Sequence, residues 1–278
     1  MTLQEWIDAT VRRFPSYDVA PRTRVRHQAL TSARAARETM LRRPDTAVTL
    51  FPFSARTPHR SYRLASGLDL SLEDRWLWCG AIGCGKTTGA RGLIGGLRKL
   101  YPMASVYTLD SKGDRMFDHE ANLVQTEEPP PPLAPGASVV WRPPTDDLGA
   151  YDAWFESILK TRRPAIVFVD ELSSIGKAHG QSFAPGYAKL LKQGRSLHQC
   201  VITLSQEAAY IPRQVTGQLH HLIRMRLLDE YDAKKLDRLA HGKHDPRREP
   251  LRPHGLWYKR LDRATAAREF SDWRSLLE

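Results

Sequence analysis

The run Gly80-Ala81-Ile82-Gly83-Cys84-Gly85-Lys86-Thr87-Thr88 has the residue types and spacing needed to hold a polyphosphate. Glycines at 80, 83 and 85 let successive backbone N–H groups turn inward around phosphate oxygens without a Cβ clash. Cys84 fits as a small loop-filling residue or as a reactive thiol at a helix N-terminus. In a loop of the form G-x-x-x-x-G-K-[ST], Lys86 reaches the β- and γ-phosphates and the Thr87 hydroxyl ligates Mg²⁺, with Thr88 beside it. A second set lies downstream. Asp170 and Glu171 close the apolar run "AIVFV", and Gln206 follows the run "CVITLS". Asp170 would sit in the Mg²⁺ shell, and Glu171 would orient and polarise a water for attack on the γ-phosphate. Gln206 could touch that phosphate and report its loss. Arg195, in "KQGRSLHQ", could reach a neighbouring subunit's site and neutralise transition-state charge, with Arg213 and Arg224 as reserves. Adjacent acids and a terminal amide suit attack by water better than transfer to an acceptor, so a kinase is disfavoured.

These groups converge only if particular elements position them. The phosphate loop needs a strand before it and a helix after it. "WLWCG" supplies a short apolar strand, and the segment from Lys86 to Tyr101 carries Leu93, Ile94, Leu97 and Leu100 at helical spacing. Gly89, Gly92, Gly95 and Gly96 each weaken that helix by about 1 kcal/mol against alanine, which predicts close packing against a sheet or a neighbour. Further strands are read at Ala104–Asp110, in "SVVWRP", over Ala165–Val169 and in "QCVITLSQ", with helices over Tyr151–Thr161 and Tyr187–Arg195. Strands alternating with helices predict an α/β fold: a P-loop NTPase of the RecA/ASCE-like kind, with a central mainly parallel sheet flanked by helices. Acids at the C-terminal end of a buried parallel strand lie where ligands bind such sheets. The proline run "EEPPPPLAPG" (Glu127–Gly136) reads as an extended surface loop.

Residues 1–75 read as a basic N-terminal helical/β module, and 76–278 as the nucleotide core with a basic C-terminal segment. The first 45 residues carry nine arginines against five acids, punctuated by Pro15, Pro21 and Pro44. Over all 278 residues the formal net charge is +11, which favours nucleic acid or another polyanion as partner. Lys234 to Arg263 is dense in basic residues, with Trp257 and Tyr258 interleaved. It suits salt-dependent, sequence-independent phosphate contacts or simply a solvated charged face. Three cysteines suit a reducing compartment and no disulfide framework. No apolar run approaches the ~18 residues of a membrane span, so the chain is expected to be soluble. His220-His221 and His241-x-x-His244 lack the cysteine or acid that would complete a zinc site.

Taken in order, "GAIGCGKTT", "YTLDSKGD", "AIVFVDELSSI", "LLKQGRSLHQCVITLSQ" and "YIPRQVTGQLHHLIRMRL" resemble the FtsK–HerA superfamily of ring-forming DNA-pumping ATPases, over roughly Trp76 to Phe270. The segment "LDSKGD" is similar to the D-x-K-G segment of coupling proteins. The resemblance implies ATP and Mg²⁺ as cofactors, with Lys86, Thr87, Asp170 and Glu171 in the site, Gln206 as sensor and Arg195 as a trans finger. It implies double-stranded DNA as partner and a homo-oligomeric ring, expected to be a hexamer. By the same resemblance, Gly176–Gly186 would line a central pore, where Lys177, His179 and Gln181 could touch DNA phosphates; a surface loop also fits. A small, basic, unanchored motor points to the genome-packaging ATPases of membrane-containing viruses, placed in the host cytoplasm or at a virion vertex with a capsid or membrane protein. The alternatives are a soluble conjugation-type DNA pump, a nucleotide-gated assembly switch and a filamentous-virus export ATPase.

Overall fold

The computed structural model describes residues 61–277 apart from 119, 146, 177–183, 210, 242–253 and 263–266. Two short strands, β1 (Tyr62–Arg63) and β2 (Asp69–Leu70), form a hairpin ahead of β3 (Arg75–Cys79). A nine-stranded sheet follows in the order β11-β10-β9-β3-β8-β7-β4-β6-β5. Its members are β3, β4 (Ser105–Leu109), β5 (Leu123–Val124), β6 (Ser138–Trp141), β7 (Ala165–Val169), β8 (Gln199–Ser205), β9 (His221–Met225), β10 (Leu256–Arg260) and β11 (Arg268–Phe270). From β5 to β9 across the sheet every pairing is parallel, and β10 and β11 close one edge antiparallel. The expected mainly parallel α/β sheet is therefore present.

Alternation along the strands splits the core into two layers. Trp76 and Trp78 face one side of β3, with Ile166, Phe168, Ile202 and Leu204 from its neighbours. That side is covered by Leu93 and Leu97 of α1 (Lys86–Leu100) and by Leu276 of α6 (Trp273–Leu277). Leu77 and Cys79 face the other side, beneath Trp154, Phe155 and Ile158 of α2 (Leu148–Lys160) and Tyr187 and Leu190 of α3 (Pro185–Gln193). A sheet covered on both faces makes its strands continuous apolar runs, which is why β3, β4, β6, β7 and β8 were readable. Leu68, Leu70 and Leu72, on the N-terminal side of the expected boundary at residue 75, are buried in the first of these layers.

Two expectations need adjustment. α2 begins at Leu148 rather than Tyr151, because Asp147 caps it by accepting from the Gly149 amide at 2.8 Å. Of the four glycines in α1, only two mark close packing. A Cβ at Gly89 would lie 2.4 Å from the Trp78 ring and one at Gly92 2.5 Å from Trp273, whereas Gly95 faces open space and Gly96 is nearly open. Among the described residues, no helix is long and apolar enough to cross a membrane.

Register aligns the functional end. Cys79 is level with Ser205 and Arg224, Val169 with Leu109 and Thr203. The segments that follow β3, β4, β7, β8 and β9 all leave the sheet at this one edge.

Candidate active site

The phosphate loop is pinned on both sides of β3. The Gly80 amide donates to the Ser205 carbonyl after β8 at 3.1 Å, and the Ala81 amide donates to the Arg226 carbonyl after β9 at 2.8 Å. Gly85 has φ 94°, a left-handed conformation that disfavours side chains, and it opens α1 with no side-chain cap. The first amides of α1 are thus left to a ligand, with the positive end of the helix dipole behind them. Lys86 is buried, and its Nζ donates to the carbonyls of Gly80 at 2.6 Å and Ala81 at 2.8 Å. Burial holds this ammonium below the usual lysine range, partly opposed by Cys84 and Glu171. Cys84 fills the loop, its Sγ 3.8 Å from Met225 Sδ, as expected of a packing residue. Thr87 and Thr88 follow in the first turn, half-buried and exposed.

The acids stand at the end of β7, two strands away. Asp170 Oδ1 accepts from the Ser111 amide at 3.0 Å and the Ser111 hydroxyl at 2.7 Å, and Oδ2 accepts from the Lys112 amide at 3.2 Å. Burial nevertheless pushes the Asp170 carboxyl up to about 7, because the Ser111 hydrogen bonds only partly offset it and Asp110 adds repulsion. A divalent cation would offset that cost, and the Asp170 carboxylate and Thr87 hydroxyl are oxygen donors of the kind magnesium takes. Glu171 is also buried. Its Oε1 lies 3.4 Å from the amides of Ser173 and Gln206, and its Oε2 is ion-paired with Lys112 Nζ. The structure thereby brings Glu171 beside the backbone of Gln206.

Sequence reasoning passed over the β4 exit turn Asp110–Asp114 as chemistry. Asp110 is fully buried; it accepts from Arg142 Nε at 2.6 Å and from the Asp114 amide at 2.9 Å. Arg142 also reaches Asp118 at 2.7 Å and the Asp114 carbonyl at 2.9 Å. This frame presents Ser111 and Lys112 to the acids. The available signal was positional: "LDSKGD" leaves a buried strand at the same edge as "VDE".

Other expected residues fall elsewhere. Arg195 lies in the 3₁₀ turn Gly194–Leu197 ahead of β8, mostly exposed, with Nε 3.7 Å from Glu73. The length of β8, roughly 23 Å for seven residues, separates it from Gln206, so Arg195 cannot serve its own subunit's site. Arg224 is ion-paired with the buried Asp237 and stacked over Trp257, which removes it as a reserve finger. Arg213 is exposed at the start of α4 (Arg213–Thr216), past the site end of β8. Lys177, His179 and Gln181 lie outside the described residues, although Ala184 N bonds Ile175 O at 3.0 Å, so the chain returns to where that segment starts. Part of the expected basic grip is structural. Lys235 donates to the carbonyls of Ala209 and Ile211, both at 2.7 Å, and Arg260 sits among Asp69, Asp74 and Asp262. Tyr258 is buried in β10, while Lys243, Arg247, Arg248, Arg252 and Arg263 lie outside the described residues. His220 and His221 are occupied by Asp74 and Tyr258.

No family model and no curated protein matches the sequence. Solved structures do match the fold. The genome-packaging NTPase B204 from Sulfolobus turreted icosahedral virus 2, in complex with ATP-γS, aligns with a TM-score of 0.58 at 11% identity, covering 73% of this chain and 99% of B204. The conjugation coupling protein TcpA of pCW3, with ATPγS, aligns at 0.54 and 14% identity, over 76% of this chain and 64% of TcpA. The cytoplasmic domain of the Thermomonospora curvata type VII secretion ATPase EccC aligns at 0.53 and 18% identity, over 77% of this chain but 29% of EccC. The structural neighbours of this chain thus include a viral genome-packaging NTPase, a type VII secretion ATPase and a conjugation coupling protein, and it has their P-loop NTPase fold.

Proposed function

We propose that the chain is an ATPase that drives double-stranded DNA, working as a homo-oligomeric ring in viral genome packaging. The observation that carries the ATPase reading is the convergence of Lys86, Asp170, Glu171 and Gln206 at one edge of a parallel sheet, with Glu171 beside the Gln206 backbone N–H. ATP phosphates would exchange places with the Gly80 and Ala81 carbonyls at Lys86 and meet the uncapped amides of α1. Magnesium, held by Thr87 and Asp170, would neutralise phosphate charge. Glu171 would take the proton of the attacking water as its oxygen bonds the γ-phosphorus, and ADP would leave with the bridging oxygen. Gln206, on the adjacent strand, would sense the terminal phosphate.

The DNA and ring parts rest on the net charge of +11, on the genome-packaging and conjugation roles of the neighbours and on the position of Arg195. An exposed arginine beyond reach of its own site serves hydrolysis only if a second copy brings it to the next site. Lys177, His179 and Gln181, which follow the acids in the sequence, would supply the pore contacts of such a ring. The second reading is a soluble conjugation-type DNA pump, favoured by the likeness to TcpA. Replacing Arg195 with alanine tests the ring: activity should fall and be restored partly by mixing with a Lys86→Ala protein, because each defect lies in a different half of a shared site. Equal activity of Arg195→Ala and the parent protein removes the finger.

A further inference from the structure

The β4 exit turn does more than brace Asp170. It delivers the Lys112 ammonium onto Glu171 Oε2 while the amides of Ser173 and Gln206 approach Oε1. Both oxygens of the carboxylate expected to receive a proton from water are therefore engaged by protein donors. The backbone of the turn is not free to withdraw, since Asp110 and Arg142 lock it through Asp114 and Asp118. The side chain of Lys112 is different. It is 34% exposed against 4% for Glu171, and its flexible four-carbon stem carries a strongly hydrated point charge. The turn that carries it also leaves the sheet at the same edge as the phosphate loop, because β4, β7, β8 and β3 are parallel neighbours. A terminal phosphate at Lys86 would thus compete with Glu171 for the same ammonium.

We propose that Lys112 is a positioning residue exchanged between two anions: it holds Glu171 in the nucleotide-free protein and transfers to the terminal phosphate of a bound nucleoside triphosphate, releasing the carboxylate to accept the water proton. The inference rests on the ATPase reading above and deepens it. A diphosphate lacks the group that draws Lys112 away, so Glu171 stays paired after product forms, and the base is available only when there is a bond to cleave.

Equilibrium binding of ATP and ADP to four proteins tests this: the parent chain, Lys112→Met, Glu171→Gln and the double variant. Removing the carboxylate frees Lys112, so Glu171→Gln should bind ATP about tenfold more tightly, the scale of coupling between contacting charges, and leave ADP within about twofold. In the double variant that gain should shrink below about twofold, and Lys112→Arg with Glu171→Gln should restore it. An equal ATP gain in the double variant would assign the effect to the charge of Glu171 alone and overturn the exchange, as would equal gains for ATP and ADP. Failure of all four proteins to bind either nucleotide, with normal melting, would instead overturn the phosphate-loop reading.

Discussion

Two clusters of buried charge sit at opposite ends of the same strands, and they are built differently. At the N-terminal end of β3, the buried Arg75 donates to the carbonyls of Gln199 at 2.9 Å, Asp74 at 3.0 Å, Leu191 at 3.1 Å and Glu73 at 3.2 Å. Beside it, His221 stacks on Trp76 with ring centroids 3.6 Å apart and meets Tyr258 and Asp74. These partners are backbone carbonyls, packed rings and one buried carboxylate, and they tie α3 and β8 to β3. At the C-terminal end, Asp170 and Glu171 are held by one turn, and the cation on Glu171 is a partly exposed lysine. Backbone partners make a fixed joint, whereas a lysine side chain makes a contact that another anion can take.

Breaking each cluster should therefore have a different consequence. The largest effect is expected at the site: Glu171→Gln should reduce kcat by about 10²–10⁴-fold, the range for a lost general base, with little change in melting temperature. At the other end, Arg75→Ala strands four or more carbonyls and should cost about 3–5 kcal/mol of stability in urea unfolding, without removing nucleotide binding where the protein is folded. Comparable losses of stability in both variants would contradict the division.

Acid separates the clusters by sign. Burial lowers His220 to about 4 and also lowers His221, so the unfolded chain takes up protons that the folded one refuses, and this contribution to stability is lost as pH falls from about 6.5 toward 4. Asp170, pushed up to about 7, does the opposite: the folded protein holds a proton that the unfolded chain lacks, and acidification below 7 adds stability. In metal-free and nucleotide-free protein, urea midpoints between pH 7 and 5 should fall more steeply in Asp170→Asn and less steeply in His220→Gln. The smallest expected effects lie on α1. Gly95→Ala should stabilise by about 0.5–1 kcal/mol, since its Cβ meets nothing, whereas Gly89→Ala should destabilise by driving a methyl into Trp78. Thermal melting of both variants checks the pair.

What the sequence disclosed follows the same division. Strands β3, β4, β6, β7 and β8 were legible because burial on both faces writes them as apolar runs, and the acids were legible because they end such a run; β5, half-buried, and β9, interrupted by Arg224, were not read. The start of α2 was not, since Asp147 acts through one side-chain contact rather than through periodicity. Lys112 was missed as chemistry because its partner is 59 residues away, and the two meet only because β4 and β7 are neighbours. Lys235 and Arg260 looked like DNA contacts for the reverse reason: a run of basic residues does not show which of them the fold has already paired.

Coupling of hydrolysis to DNA is decided by steady-state ATP turnover of the purified protein. The assay should be run with and without long double-stranded DNA, across a salt series, beside Lys86→Ala. DNA should stimulate turnover strongly, the stimulation should fade as salt rises, and Lys86→Ala should abolish it. Slow turnover that ignores DNA at every salt concentration would contradict the coupling and point to a nucleotide-gated switch.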